Sequence, residues 1–157
     1  MRLALFQPDI PQNLGGMIRL AACLGVGLDV IEPCGFPLSD RSLKRAAMDY
    51  AARVEVARHD SWAAFQAAPY GRRRVLFTTK AAQPLHEFCF DANDVLLFGR
   101  ESAGVPDEVR EAADARLVIP IRPETRSLNV VTAAAIALGE ALRQTGGFPR
   151  PRPAEPG

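Results

Sequence analysis

An α/β fold, built on a mainly parallel six-stranded sheet flanked by helices, is predicted by three observations. Short branched or apolar runs alternate with helical patterns along nearly the whole chain. The length, 157 residues, suits one domain that buries roughly 70% of the surface its unfolded chain exposes, with no metal or disulfide staple required. No internal repeat and no shift in composition divides the chain before residue 146.

The elements follow in order. RLALF (2–6) is a short apolar run that ends at the prolines of PDIP. A helix near 14–25 carries Met17, Ile18, Leu20, Ala21, Ala22 and Leu24, and LDVIE (28–32) is the second strand. Ser39 or Asp40 is placed to cap a helix near 40–52 that has Leu43, Ala47 and Tyr50 on one side. VEVA (54–57) precedes a helix near 60–67 that starts on Asp60 or Ser61. RVLFT (74–78) is the fourth strand, and AAQPLHEF stays unassigned because Pro84 breaks whatever precedes it. VLLFG (95–99) and LVIPI (117–121) bracket a helix near 106–113. The last helix, 128–144, has Ser127 as its N-cap. Residues 146–157, GGFPRPRPAEPG, are rich in proline and glycine and are expected to form a disordered or polyproline-like tail, which leaves 1–145 as the folded unit.

Composition excludes some functions. Cys23, Cys34 and Cys89 are odd in number and lack C-x-x-C spacing, which argues against a zinc site or a disulfide framework and for a reducing cytoplasm. Met1 leads at once into a short apolar run, and no apolar stretch reaches the ~18 residues of a membrane span, so an unprocessed, soluble chain with no membrane partner is expected. The formal charge of +1 does not announce a nucleic-acid binder. Yet all but two of the 19 basic residues are arginine, several of them clustered in 40–58 and in GRRRV. The guanidinium fork suits phosphate, although a solvated face explains the clusters equally well.

Three loops could carry chemistry. In PDIPQNLGGMIRLAACLG (8–25), Gly15 and Gly16 stand at the expected helix start, where free N–H groups favour an anion. Arg19 is the one charge on that helix, so it either snorkels to the surface or is held for a purpose. In VLLFGRESAGVP (95–106), Gly99, Glu101, Gly104 and Pro106 form a loop at the carboxyl end of a strand, where ligands of α/β sheets bind. This is neither the dinucleotide G-x-G-x-x-G nor the phosphate loop G-x-x-x-x-G-K-[ST], which counts against an ordinary nucleotide-binding oxidoreductase. In IPIRPETRSLN (119–129), prolines stiffen the strand exit, and Ser127 and Asn129 offer polar groups at a helix start. His59 and His86 have no partners at ligand spacing and read as ordinary polar histidines, and Trp62 reads as core. Neither G-x-S-x-G nor a Cys/His arrangement supports a hydrolase.

Taken together, IPQNLGGMIR, FGRESAGVP and IPIRPETRSLN resemble, in order and spacing, the three motifs of the SPOUT RNA methyltransferases: N-x-G…R, then G-x-E-x-x-G-x-P, then a branched strand followed by S-[LM]-N. IEPCGF, RAAMDY and TTK bring the resemblance closest to TrmL-type tRNA 2′-O-methyltransferases, over residues 1 to about 144. Gly139 departs from that pattern, standing where an aromatic residue is common.

The resemblance implies a C-terminal deep trefoil knot and a homodimer. It implies S-adenosyl-L-methionine as cofactor, S-adenosylhomocysteine as product, and no metal. The cofactor would be held by Phe77 and Thr78, by Gly99, Glu101 and Gly104, and by Ile119, Ile121, Ser127 and Leu128. The substrate would be the ribose 2′-hydroxyl of the wobble nucleotide, position 34, a cytidine or modified uridine in the tRNA anticodon stem-loop. Asn13, Arg19, Glu101, Ser127 and Asn129 would form the catalytic set, with Arg19 reaching the partner's pocket. A guanidinium with a pKa above ~12 is a poor base, so stabilising the developing alkoxide or holding phosphate suits Arg19 better. Methylation of another tRNA or rRNA site, and a non-catalytic RNA-binding module, are the alternatives.

Overall fold

The computed structural model describes residues 1–39, 41, 45, 50, 53–69 and 73–151. Its elements are β1 (Arg2–Phe6), α1 (Pro11–Leu24), β2 (Gly27–Ile31), β3 (Val56–His59), α2 (Trp62–Ala67), β4 (Arg74–Phe77), β5 (Gln83–Pro84), β6 (Val95–Phe98), α3 (Asp107–Glu111), β7 (Ala115–Val118) and α4 (Val130–Thr145). The helix expected near 40–52 lies outside the described residues apart from Arg41, Arg45 and Tyr50, as do residues 152–157 of the expected tail.

Among the described residues the sheet has seven strands, not six, all parallel, in the order β3-β2-β1-β6-β4-β7-β5. The additional strand is the two-residue β5, which pairs with β7 at the sheet edge. Pro84 has no N–H to give a ladder, and an edge is where a strand tolerates that loss. Pro120 has the opposite effect. It ends β7 at Val118, short of the expected 121, and leaves residues 119–121 outside the ladder.

Period-two alternation sorts the side chains into two cores. Leu3 and Leu5 of β1 and Leu96 and Phe98 of β6 pack with Leu14, Met17 and Ile18 of α1 and Ala134, Leu138 and Ala141 of α4. Ala4, Phe6, Val95 and Leu97 point the other way, toward Trp62, Phe65 and Val109. Each fully buried leucine contributes about 1.5–3 kcal/mol relative to exposure, which is why the three central strands are apolar on both faces. A Cβ at Gly16 would lie 3.0 Å from Val131 Cγ2, so this glycine lets α1 and α4 approach closely.

Several local readings change. Helix α1 starts at Pro11, a residue suited to a first helical position because its missing N–H is not needed there. Gly15 and Gly16 therefore lie inside the helix and present no anion-binding start. Ser61 caps α2, accepting from the Ala64 N–H at 3.1 Å. His59 is not an ordinary solvated histidine. It is buried, with Nε2 2.8 Å from Oδ1 of the fully buried Asp29, whose Oδ2 accepts from Arg2 Nε at 2.6 Å. His86 is exposed. Helix α4 runs unbroken through Gly139, beside which a Cβ would meet nothing within 4 Å.

Candidate active site

The strand order brings the carboxyl ends of β4, β6 and β7 and the start of α1 to one side of the sheet. A cavity of about 470 Å³ opens there. Phe77 and Thr78 leave β4 into its wall, and Gly99, Glu101 and Gly104 line it from the loop after β6. Ile119 and Ile121 line it from the segment that Pro120 frees from the ladder, followed by Ser127, Leu128 and Asn129. Asn13 enters from α1. Phe77 lies stacked between Phe98 and Phe90, at centroid distances of 5.1 and 6.5 Å, which fixes the cavity's inner wall.

The glycines shape the loop after β6. Arg100 and Gly104 exchange backbone hydrogen bonds of 3.0 and 2.9 Å, and Gly104 has a φ of 68°, a conformation that favours glycine. A Cβ on Gly99 would lie 2.6 Å from the carbonyl carbon of Gly104, so only hydrogen fits.

A run of hydrogen bonds ties the three loops together. Asn13 donates through Nδ2 to Glu101 Oε1 at 3.0 Å, and Asn129 donates through Nδ2 to Asn13 Oδ1, also at 3.0 Å. Asn129 Oδ1 then accepts from the N–H groups of Val131 at 2.9 Å and Thr132 at 3.4 Å. Asn129, not Ser127, is thus the N-cap of α4, because its short amide reaches back to the first turn while Ser127 stands exposed two residues earlier. The amide orientation of Asn13 follows from this run: its nitrogen must face a carboxylate and its oxygen a donor.

One residue that the sequence did not single out belongs to the same network. The Asp9 N–H donates to Glu101 Oε2 at 3.1 Å, the Glu101 N–H donates back to Asp9 Oδ1 at 3.2 Å, and the Ser102 hydroxyl donates to Asp9 Oδ2. Hydrogen bonding from Glu101 and Ser102 holds the Asp9 carboxyl down at about 2, whereas burial, reinforced by Asp9, pushes the Glu101 carboxyl up. Glu101 is therefore the member of this pair that takes up a proton first.

Arg19 is not in this cavity. It stands exposed on α1, its guanidinium carbon 5.4 Å from the centroid of the Tyr50 ring. Among the described residues it forms no ion pair, and the cation–π contact rests its guanidinium on that ring at the surface.

The loop of residues 33–38 backs the site, with the Gly35 N–H donating to the Pro8 carbonyl at 2.9 Å. Within it, burial and then the Glu32 charge push the Cys34 thiol up to about 11. Iodoacetamide at pH 8 should accordingly label Cys34 at least about tenfold more slowly than the exposed Cys23 and Cys89, because the thiolate is the nucleophile. Peptide mapping over a time course reads the order directly, and Cys34 labelled first would refute this account of its surroundings.

Comparisons with known proteins bear on this geometry. The pattern of the SpoU rRNA Methylase family matches residues 1–139. A tRNA (cytidine(34)-2'-O)-methyltransferase of Beijerinckia indica subsp. indica is 61% identical over 146 residues, covering 92% of this chain and 91% of that protein. A solved structure described as giving structural insights into the 2-OH methylation of C/U34 on tRNA aligns with a TM-score of 0.84 at 46% identity, covering 91% of this chain and 94% of its own. The SpoU methyltransferase AviRb from Streptomyces viridochromogenes, solved in complex with AdoMet, aligns with a TM-score of 0.78 at 28% identity, covering 92% of this chain and 60% of AviRb.

Proposed function

The chain belongs to the SpoU rRNA methylase family, and from that premise we propose that it transfers a methyl group from S-adenosylmethionine to the ribose 2′-hydroxyl of tRNA nucleotide 34, a cytidine in the first instance. The observation that carries this reading is the hydrogen-bonded run Glu101–Asn13–Asn129, which joins three loops around one cavity at the carboxyl ends of parallel strands. Relatives so similar along almost their whole length, named for the cytidine-34 reaction, supply the substrate.

The residues present fit the cofactor. The cavity, about 470 Å³, is within the roughly 300–1,000 Å³ usual for small-molecule sites. Phe77, Ile119, Ile121 and Leu128 offer an apolar slot for an adenine ring, and Gly99 and Gly104 expose backbone where a Cβ would intrude or strain. Thr78 and Ser127 add hydroxyls beside main-chain groups, as ribose and amino-acid moieties require. When bound, S-adenosylmethionine supplies a methyl group activated on a sulfonium, and S-adenosylhomocysteine is the product. No metal is invoked.

The protein's own task is alignment and charge. Asn13, Glu101 and Asn129 hold the loops in register, so that a ribose entering beside Ser127 meets a fixed surface. Arg19, exposed and outside its own chain's cavity, serves the cavity of the partner in a homodimer. There its guanidinium holds a phosphate and stabilises the alkoxide that develops as the 2′-hydroxyl passes its proton to water. The exposed Ile10, just before α1, and Ile136, on α4, are apolar surface that a contact between subunits would cover.

The same reading carries the C-terminal deep trefoil knot within residues 1–145. It is supported by the course of α4, which leaves β7 near the sheet edge and returns to pack on α1 and β6. It also carries the anticodon stem-loop as the docking partner and the cytoplasm as the compartment, which the three free thiols suit.

Incubating the protein with S-adenosylmethionine and an anticodon stem-loop bearing cytidine 34 should add one methyl group to that ribose, located by mass spectrometry of nuclease fragments. The 2′-deoxy-C34 stem-loop should remain unmodified. Methylation of a base, or equal methylation of the deoxy substrate, would overturn the proposal.

A further inference from the structure

Asp9, we infer, is a positioning residue for this methyl transfer: its carboxylate clasps the loop after β1 to the loop after β6 and so sets the walls of the cavity against one another. The inference rests on the methyl-transfer reading and names a residue that neither the motifs nor the cavity lining includes.

The clasp is reciprocal. Asp9 gives its N–H to the Glu101 carboxylate at 3.1 Å and receives the Glu101 N–H at 3.2 Å, so each acid binds the other's backbone. Two neighbouring carboxylates ordinarily repel. Here each is compensated by an N–H, and the Ser102 hydroxyl satisfies the remaining Asp9 oxygen. Among the described residues no arginine or lysine pairs with Asp9, so its function is not that of a surface ion pair.

The support behind Asp9 is tight. A Cβ on Gly35 would lie 2.7 Å from Asp9 Cβ, and Pro8 restricts the backbone before it. Asp9 has little room to give way, and movement at the clasp passes to Glu101. From Glu101 it passes through Asn13 and Asn129 to the first turn of α4. Asp9 thus stands at the head of the run that orders all three loops, while its carboxylate has no place in the cavity lining.

The test uses the full chain carrying Asp9→Ala or Asp9→Asn. In the cofactor-free protein, exchange of the Glu101 amide hydrogen should speed by about tenfold in Asp9→Ala, since its acceptor is gone. Calorimetry should show weaker S-adenosylmethionine binding, and kcat on the cytidine-34 stem-loop should fall by about tenfold to a hundredfold, the scale of a small misplacement. KM for the RNA should change less than about threefold, because no substrate contact is removed. Asp9→Asn keeps one acceptor and should fall between the wild type and Asp9→Ala, and it carries the same test should Asp9→Ala fail to fold. A lower melting temperature with kcat and cofactor affinity unchanged would make Asp9 merely structural and overturn the inference. A wild-type protein with no turnover would instead remove the methyl-transfer reading, and this inference with it.

Discussion

Replacing Arg19 by alanine is expected to lower kcat for 2′-O-methylation by about a thousandfold while S-adenosylmethionine binds within about twofold of the wild-type affinity. The two effects separate because Arg19 lies on the exposed face of α1 and does not line the cavity of its own chain. Its side chain rests over Tyr50 at 5.4 Å, so truncation costs a surface cation–π contact of about 0.5–1 kcal/mol and should leave the fold intact. On the proposed reading, what is lost is charge at the reacting oxygen. The 2′-hydroxyl becomes a strong nucleophile only as its proton passes to water, and a guanidinium placed there stabilises the negative charge left on that oxygen more than it does the neutral hydroxyl of the ground state. Lysine should restore only part of the rate, since its compact ammonium lacks the fork that spans two oxygens. Mixing subunits tests the origin of the charge. Arg19→Ala protein is inactive for want of the arginine, and a variant with a blocked cavity is inactive for want of cofactor. In the proposed homodimer, a randomly paired one-to-one mixture should recover roughly one quarter of wild-type activity, because half of its dimers are heterodimers and each of these has one intact cavity of two facing an intact Arg19. No recovery would place Arg19 in service of its own chain, and unchanged kcat in Arg19→Ala would remove its role altogether.

The parts of this site that were legible in the sequence are those that local chemistry writes. The strand RLALF matches β1 over the same residues, because a short apolar run bounded by prolines has one low-energy reading. The glycines of FGRESAGVP marked a backbone that must come close to something, and Gly99 and Gly104 do. What sequence could not give is which loops meet. Asp9 and Glu101 are 92 positions apart, and they face one another only because β6 inserts beside β1 in the sheet. The same holds for Asn13 and Asn129, 116 positions apart. Serine before an apolar run is a common cap, which favours Ser127 for the last helix; Asn129 takes that place while also reaching Asn13, a use no local pattern announces. His59 reads in the sequence as an ordinary polar histidine, since nothing nearby in sequence discloses that β2 brings Asp29 beneath it. In each case the missing information was strand order, a long-range property.

Gly99→Ala should abolish measurable cofactor binding, with affinity reduced by about a hundredfold or more, while the protein stays folded. The added Cβ would lie 2.6 Å from the Gly104 carbonyl carbon, 2.8 Å from its Cα and 2.9 Å from its oxygen. All three are backbone atoms, so no rotamer change relieves the clash. The loop must move, and it is pinned by the two Arg100–Gly104 backbone hydrogen bonds of 3.0 and 2.9 Å and by the Glu101 contacts to Asp9 and Asn13. Displacement by even an ångström carries Glu101 away from Asn13 and pushes Gly104 toward the space assigned to the cofactor. The cost in stability, about 1–3 kcal/mol for a single overpacked carbon, leaves the protein folded, because Gly99 lies just beyond the β6 ladder that ends at Phe98. Gly139→Ala is the matched control: its Cβ meets nothing within 4 Å, and an alanine in the interior of α4 should stabilise the helix by about 0.5–1 kcal/mol without touching the cavity. Circular dichroism and calorimetry with S-adenosylmethionine on the two variants separate site from scaffold. Wild-type affinity in folded Gly99→Ala would mean that the loop after β6 does not wall the cofactor, and the assignment of Gly99, Glu101 and Gly104 would fall with it.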